Sequence, residues 1–487
     1  MIIDSKGMKE IEKLSGFSVY ELMQNAGKAS AAEIKKRIRP EDRILIVAGK
    51  GNNGGDGYVI AKELSGYACK VYQAEGKPLT EAAMQTCEEL DSGIILKPRE
   101  FARELKKADI IVDAVYGFGF HGELKSKIKS LFRRINESGA RIFSIDINSG
   151  CEADTDHHDS DAIISEVTFA LDCWKPFHML RKEHECFREA VLVDLGLPHT
   201  ISSSCREMNE ELFFRNFPAK KENAHKGTQG KMLLAGGSYG MAGAISLNIT
   251  GAKTVGASYI HAALPHEIYP IVASRHITPV FHPFAEHTVI PVLESVLPEA
   301  SAVGFGSGAV FMPRKSEAMD YILQNSRGPV VLDAEALRML VHNMYILRFV
   351  RVPVIITPHV GEFAEILNIP TSVLMDRKVE YAAKFAKDYN VIVVLKGANT
   401  IVAAPNGEMY FNQSGSQALA QAGSGDLLTG IMTGILSMTK DVMTAVCMSV
   451  WLHGYLAEIG AEEHAIQNFP IEQFPEFMDK LFKKHGM

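Results

Sequence analysis

The chain has no CxxC pair. Its seven cysteines, Cys69, Cys87, Cys151, Cys173, Cys186, Cys205 and Cys447, are odd in number and scattered, which speaks against a disulfide framework or a structural zinc site and for a reducing, cytoplasmic setting. No uninterrupted apolar run approaches the ~18 residues of a bilayer span. The opening MIIDSKGMKEIEKLSG lacks the apolar core of a signal peptide, so no membrane partner is expected. A basic block is missing too. Lys and Arg number 51 against 58 Asp and Glu, for a net charge of -7, so a protein that coats nucleic acid is excluded as a class and no nucleic-acid partner is expected. No GxxxxGK[ST] sequence occurs, which removes the P-loop enzymes.

What is present is ordinary globular composition, 46% hydrophobic and 22% charged over 487 residues. That is too long for one core and predicts two domains, 1–215 and 216–487. In the first, the spacing predicts a helix over Val19–Ile38. Short apolar runs at Ile44–Ala48, Cys69–Gln73, Ile110–Asp113, Ile142–Ile145 and Ala190–Val193 read as buried parallel strands alternating with helices, an α/β fold. The loop GKGNNGGDG reads as irregular over Gly49–Gly57, with a helix from Tyr58 to Leu64. That is an anion-receiving turn rather than a dinucleotide fingerprint with a downstream ribose acid. Asp56, Asp113 and Asp146 each stand in a glycine-bearing loop beyond a strand, where α/β sheets place their ligands. With Asn53 and the Ser149 hydroxyl they form an oxygen-only set suited to a hard cation.

In the second half, Met232–Gly243 reads as a strand and glycine loop, and Ser301–Gly304, Pro329–Asp333, Val354–Thr357 and Val391–Leu395 as further strands. Asn406-Gly407 between apolar runs predicts a hairpin. The most informative stretch is QAGSGDLLTGIMTGIL: Gly423, Ser424 and Gly425 precede Asp426, and an apolar helix follows over Leu427–Leu436. Glycines let the backbone approach a ligand, helix N–H groups receive phosphate oxygens, and Asp426 stands beside them as a base. The alternative is that Asp426 merely caps the helix.

The motifs GKGNNGGDG, VDAVYGFG, DINSG and FALDCWKP resemble the NAD(P)H-hydrate epimerase domain of the YjeF amino-terminal type. The resemblance implies a Rossmann-like three-layer fold and interconversion of the R and S forms of hydrated NADH or NADPH (NADHX, NADPHX). It implies a potassium ion, K+, held by Asn53, Asp113 and Ser149. It sets the substrate against Asn52, Asn53, Gly54, Gly55 and Asp56, and against Gly117, Phe118, Gly119, Phe120, His121, Gly122 and Glu123, with Asp146 as the acid–base group. The chain departs from that pattern at Asn148, where proline is usual.

The motifs HKG, GGSYGMAGA, VLDAEAL, TPHVGE, LKGANT and AGSGD resemble the ADP- or ATP-dependent NAD(P)H-hydrate dehydratase, of ribokinase-like α/β fold. By that resemblance the nucleotide lies on Lys396, Gly397, Ala398, Asn399 and Thr400 and on the run Ser416, Gln417, Ala418, Leu419, Ala420, Gln421, Ala422, Gly423, Ser424 and Gly425. The hydrate lies on Ala244, Gly306, Ser307, Gly308, His359 and Asp426, and Glu362 helps to order the polyphosphate or Mg2+. Together the two resemblances imply a bifunctional lyase and isomerase that dehydrates the S form at the expense of ADP, giving AMP and phosphate. Its partners would be small-molecule nucleotides, and a homo-oligomer is expected. The second half alone fits equally a ribokinase-like kinase of a vitamin or sugar alcohol, against which the first half speaks.

Overall fold

A computed structural model describes residues 1–220, 222 and 230–487; the HKG motif, residues 225–227, lies outside them. The chain divides into two compact units, Met1–Cys205 and Arg206–Met487. The division falls before the expected boundary at 215 because the helix Glu210–Asn216 belongs to the second core. Its Phe213 is fully buried and packs on Trp451 with ring centroids 5.3 Å apart.

The first unit is built on strands β1 (Arg43–Ala48), β2 (Ala68–Gln73), β3 (Ile110–Ala114), β4 (Arg141–Ile145), β5 (Ser165–Leu171) and β6 (Phe187–Val193). They form one parallel sheet in the order β2-β1-β3-β4-β5-β6. Both faces are covered, so the central strands β1, β3, β4 and β5 bury nearly every residue, as their apolar runs require, while the edge strands β2 and β6 stay partly exposed. Strand order reverses between β1 and β3, and it is there, beyond the carboxyl ends, that a doubly wound sheet opens a crevice. The first glycine loop is shorter than expected. The helix runs Asn52–Glu63, so the segment NNGGDG occupies its first turns instead of preceding it. Tertiary packing overrides glycine's low helix propensity here: a Cβ at Gly54 would stand 2.1 Å from the Gly49 carbonyl oxygen, and one at Gly57 2.9 Å from Ala114 Cβ. Only glycine lets this helix lie directly on the strand ends.

The second sheet consists of β7 (Cys205–Arg206), which straddles the division, and β8 (Met232–Ala235), β9 (Ile260–Pro265), β10 (Val280–Phe284), β11 (Ala302–Phe305), β12 (Val330–Leu332), β13 (Val354–Ile356), β14 (Ile392–Leu395), β15 (Ile401–Ala403) and β16 (Met409–Phe411) of the second unit. The sheet order is β10-β9-β8-β11-β12-β13-β14-β15-β16-β7, parallel from β10 to β14, with β15 and β16 the antiparallel hairpin expected around Asn406-Gly407. The reversal falls between β8 and β11. The helix Ser424–Met438 packs under these strands and is buried from Leu427 to Ser437. The following helix, Val442–Glu463, is long and apolar enough to cross a membrane by length and composition, yet most of it is buried in this unit's core.

Candidate functional sites

The crevice of the first unit is a cavity of about 610 Å³ at the reversal point of the sheet. Of the expected residues it is lined by Asn52, Asn53, Asp56, Gly117, Phe118, Gly119, Phe120, His121 and Asp146. Gly54 and Gly55 instead pack the helix onto its neighbours, Gly122 donates its N–H to Glu152 at 2.9 Å, and Glu123 is exposed. Asp146 follows β4 with φ 66°, and Ile147 N donates across it to Ile145 O at 2.9 Å. A non-glycine residue held in this left-handed turn stores ~1–3 kcal/mol of strain, a mark of functional positions. The turn aims the carboxylate at the cavity. Its Oδ2 accepts from Phe118 N at 2.8 Å and its Oδ1 from the Lys175 ammonium at 2.8 Å.

Lys175 was not anticipated as a site residue, although it sits in the quoted FALDCWKP motif. Its side chain is fully buried, and it also donates to Leu171 O at 2.7 Å. A buried ammonium needs such partners. His178 backs the pair. Its Nδ1 accepts from Lys175 N at 3.0 Å and its Nε2 donates to Asp146 O at 2.8 Å; burial, then the Lys175 charge, push it down to about 3, so it stays neutral. Asp56 is held well above the carboxylate range by burial, then by Asp146 and Glu12. Glu12 lines the same cavity from the helix Ser5–Leu14 and is raised by burial and by Asp146. Among the carboxylates that line the cavity, Asp146 is thus ion-paired with Lys175, while burial and neighbouring charge raise Asp56 and Glu12.

Asp113 and Ser149 come together beneath the loop. Ser149 Oγ donates to Asp113 Oδ1 at 2.6 Å, and Ser149 N and Ser144 Oγ donate to Oδ2, each at 2.9 Å. Burial still outweighs these bonds and raises Asp113. Asn53 differs: its amide oxygen and nitrogen are both buried without a hydrogen-bond partner. Asn148, at the position where proline is usual, donates to Ile163 O, Ser165 Oγ and Cys186 O and so pins the turn by side-chain bonds. Among the described residues one cluster of mixed donors also forms, Asp172, Cys173 and His199, with His199 Nε2 2.8 Å from Asp172 Oδ2; it is separate from the oxygen-only set.

The first loop needs a correction. Gly49, Gly51 and Gly54 have the GxGxxG spacing, and the structure gives each the part it plays in a dinucleotide turn. Gly49 lies against the Val115 carbonyl, Gly51 faces open space, and Gly54 permits close packing of the helix on the strand.

In the second unit the strand ends converge on Asp426. It lies in the first turn of Ser424–Met438, whose N-cap is Gly423 at φ 92° with no capping side chain. Asp426 is thus not a cap, and the N–H groups of the first turn are open to a ligand. Burial, then Asp333, raise Asp426 to about 6, while hydrogen bonding from Ser307 and the Lys396 charge oppose the rise. Asp333, after β12, was not anticipated either, though it stands in the quoted VLDAEAL motif. Its Oδ1 accepts from Lys396 Nζ at 3.0 Å and Thr357 Oγ1 at 2.8 Å, and its Oδ2 from Thr429 Oγ1 at 3.0 Å. Burial alone would raise it, but these partners hold it below the usual range. Lys396 in turn is raised: burial is outweighed by Asp333, Glu362 and Asp426.

Asn248 donates to Ser307 Oγ at 3.0 Å and to Asp426 O at 2.7 Å, which ties the β11 loop to the helix start. Gly306 (φ 117°) and Gly308 (φ 63°) shape that loop, and a Cβ on Gly308 would meet Ala244 Cβ at 2.8 Å. His359 and Glu362 form a reciprocal cap on the helix Val360–Leu367, and His359 bridges to Lys396 across the strand ends. Of the expected nucleotide residues, Gly397 and Thr400 close a turn on each other, and Ser416 caps the short turn Gln417–Leu419. Asn399 is buried and donates to Asn412 O at 2.9 Å, which gives it a structural bond behind the loop.

Two parallel-sheet units, each with acids gathered at the reversal point, define a two-site α/β enzyme. Comparison with known proteins agrees. The family described as YjeF-related protein N-terminus matches residues 19–177, and that described as NAD(P)H-hydrate dehydratase matches 232–474. The chain is 30% identical over 473 residues to the bifunctional NAD(P)H-hydrate repair enzyme of Moorella thermoacetica, covering 91% of this chain and 88% of that one. It is 29% identical over 469 residues to that of Escherichia coli, covering 93% and 88%. The second unit resembles ADP/ATP-dependent NAD(P)H-hydrate dehydratase from Bacillus subtilis, co-crystallised with ATP/Mg2+, with a TM-score of 0.51 and 30% identity over 57% of this chain and 97% of that chain. A ribokinase-like superfamily protein of Enterococcus faecalis, 20% identical with a TM-score of 0.50, shares the fold. The chain belongs to the family of bifunctional NAD(P)H-hydrate repair enzymes. Its first unit is Rossmann-like and its second ribokinase-like.

Proposed function

We propose that this protein restores hydrated NAD(P)H: the first unit interconverts the R and S hydrates, and the second dehydrates the S hydrate at the expense of ADP. One observation carries the second half. Asp426 is an unpaired carboxylate of raised basicity beside an uncapped helix N-terminus, with Lys396 held 3.0 Å from Asp333 next to it. That combination suits phosphoryl transfer to an alcohol. Asp426 takes the proton from the ring hydroxyl as its oxygen attacks the terminal phosphorus of ADP. Lys396 and the N–H groups of Ser424 and Gly425 stabilise charge on the transferring group. The phosphate ester then leaves with its C–O electrons and the ring loses a proton, so that NAD(P)H, AMP and phosphate are the products. Mg2+ fits an all-oxygen setting and would screen the polyphosphate. Glu362 is the nearby carboxylate available to it, although its Oε2 already accepts from His359 N at 2.8 Å.

In the first unit Asp146 is the acid–base group and Lys175 pairs with it at 2.8 Å. A potassium ion fits beside the loop. Asn53 offers a buried carbonyl oxygen with no other partner, and Asp113 and Ser149 have lone pairs left beyond their mutual bonds. The ion would supply positive charge close to the substrate. To test the function, the full chain is given a mixture of epimers with Mg2+ and ADP or ATP. Return of the near-ultraviolet absorbance of the reduced nicotinamide, with one AMP and one phosphate formed per ring when ADP is the donor, is expected. A kinase of vitamins or sugar alcohols would leave the hydrates untouched with either nucleotide, and that result would overturn the reading.

A further inference from the structure

The first-unit cavity contains polar groups that the epimerisation chemistry does not use. Glu75 lies just beyond the carboxyl end of β2, on the opposite flank from Asp146, and lines the cavity with Thr80. The Glu75 side chain is only 10% exposed. Its Oε2 is buried and has no hydrogen-bond partner, and the same is true of Thr80 Oγ1. Its other oxygen, Oε1, lies 3.6 Å from the Lys50 ammonium, and the carboxylate's charge adds to burial in raising the Tyr116 phenol. Thr80 precedes the helix Glu81–Glu88 yet makes no capping bond with its side chain. Two buried oxygens without partners, on two residues that line the same cavity, are costly unless a ligand satisfies them.

Position says which ligand. The GxGxxG turn after β1 leaves Gly51 open where a pyrophosphate would lie at the helix start. An acid at the end of the next strand is where a dinucleotide fold binds the ribose diol. Glu75 and Asp146 stand at the ends of β2 and β4, three strand spacings apart in the order β2-β1-β3-β4. At ~4.8 Å per spacing that is ~14 Å across the sheet, a span suited to both halves of a dinucleotide. The geometry points to Glu75 and Thr80 as the subsite for the adenosine ribose, with Glu75 accepting from its hydroxyls. A 2′-phosphate there would face a buried carboxylate and would have to compete with it for the Lys50 ammonium 3.6 Å away, so the first unit prefers NADHX to NADPHX. This rests on the epimerase reading above.

The test follows epimerisation of pure R hydrates by the full chain, with NADHX and NADPHX in parallel, and compares kcat/KM. The parent is expected to favour NADHX by about tenfold or more, since like charges in a buried site are strongly disfavoured. Glu75→Gln keeps the shape and removes the charge, so the preference should shrink by about tenfold, mainly through a lower KM for NADPHX. Glu75→Asp should keep the preference for NADHX. Thr80→Val should raise KM for NADHX and leave kcat. If neither hydrate is epimerised, the functional reading fails. If both are epimerised equally well and Glu75→Gln leaves the ratio unchanged, the ribose subsite is wrong while the epimerase stands.

Discussion

Lys175→Met isolates the buried ion pair on which the first site depends. Methionine approximates the volume of the lysine stem, so the packing term is small. What is lost is the ammonium: Lys175 is 0% and Asp146 3% exposed, and their 2.8 Å contact is removed. Asp146 then keeps one donor to its carboxylate, Phe118 N. Leaving one partner of such a pair uncompensated costs about 3–5 kcal/mol. Urea unfolding reports this cleanly in a Trp451→Phe background, where Trp174 is the tryptophan left and lies in the first unit. The double variant Lys175→Met/Asp146→Asn carries no buried charge and should recover most of the loss. A destabilisation under about 1 kcal/mol, or no recovery in the double variant, would refute the claim that the pair is a buried charge compensated from within.

The remaining predictions concern chemistry. Asp426→Asn should cut dehydration by about 10²–10⁴ while epimerisation continues, read by chromatography of an epimer mixture with excess ADP; a parental rate would remove Asp426 as the base. Because Asp426 is raised to about 6, dehydration at saturating substrate should be fully developed above that pH and fall about tenfold per unit below it, as the base is protonated; a flat profile down to about pH 4 would contradict the assignment. Crystals grown in potassium should show anomalous scattering beside Asn53 Oδ1, and a site holding water alone would dismiss the ion.

Much of this architecture was readable because parallel strands buried on both faces leave continuous apolar runs. β1, β3, β4 and β11 to β14 announce themselves in that way. β10 does not: Pro283 interrupts it, tolerated because the strand lies at the edge of the sheet. β9 and β5 were passed over as well, for His261 and the polar start SEVT blur their runs. The glycine-rich NNGGD segment misled in the other direction. Propensity argues against helix there, and only the contacts of Gly54 and Gly57 with the strand ends reveal why one forms. For the sites, motifs located Asp146, which lines the first cavity, and Asp426, half-buried in the first turn of its helix. The lysines that tune them are harder to see, because an ion pair between positions far apart in sequence leaves no periodic signal. Lys175 pairs across 29 positions and Lys396 across 63.

The two sites solve a similar electrostatic problem in opposite ways. Each places a lysine beside two acids, and the lysine can neutralise one of them. In the first unit Lys175 is committed to Asp146, the acid that faces the substrate, and Glu12, which feels the same ammonium, is left to be raised by burial. In the second, Lys396 is committed to Asp333, which also takes hydrogen bonds from Thr357 and Thr429, and it is Asp426 that is left raised. Epimerisation needs a group that can both give and take a proton with little net transfer, and Lys175 holds the Asp146 carboxylate in place for it. Phosphoryl transfer to a weakly acidic hydroxyl needs the stronger base, which an unpaired, partly desolvated carboxylate provides. The lysine's partner thus differs between the two sites, and this gives the buried Asp333 a reason to be an acid: Asp333→Asn would free Lys396 to pair with Asp426 and so weaken the base without touching it.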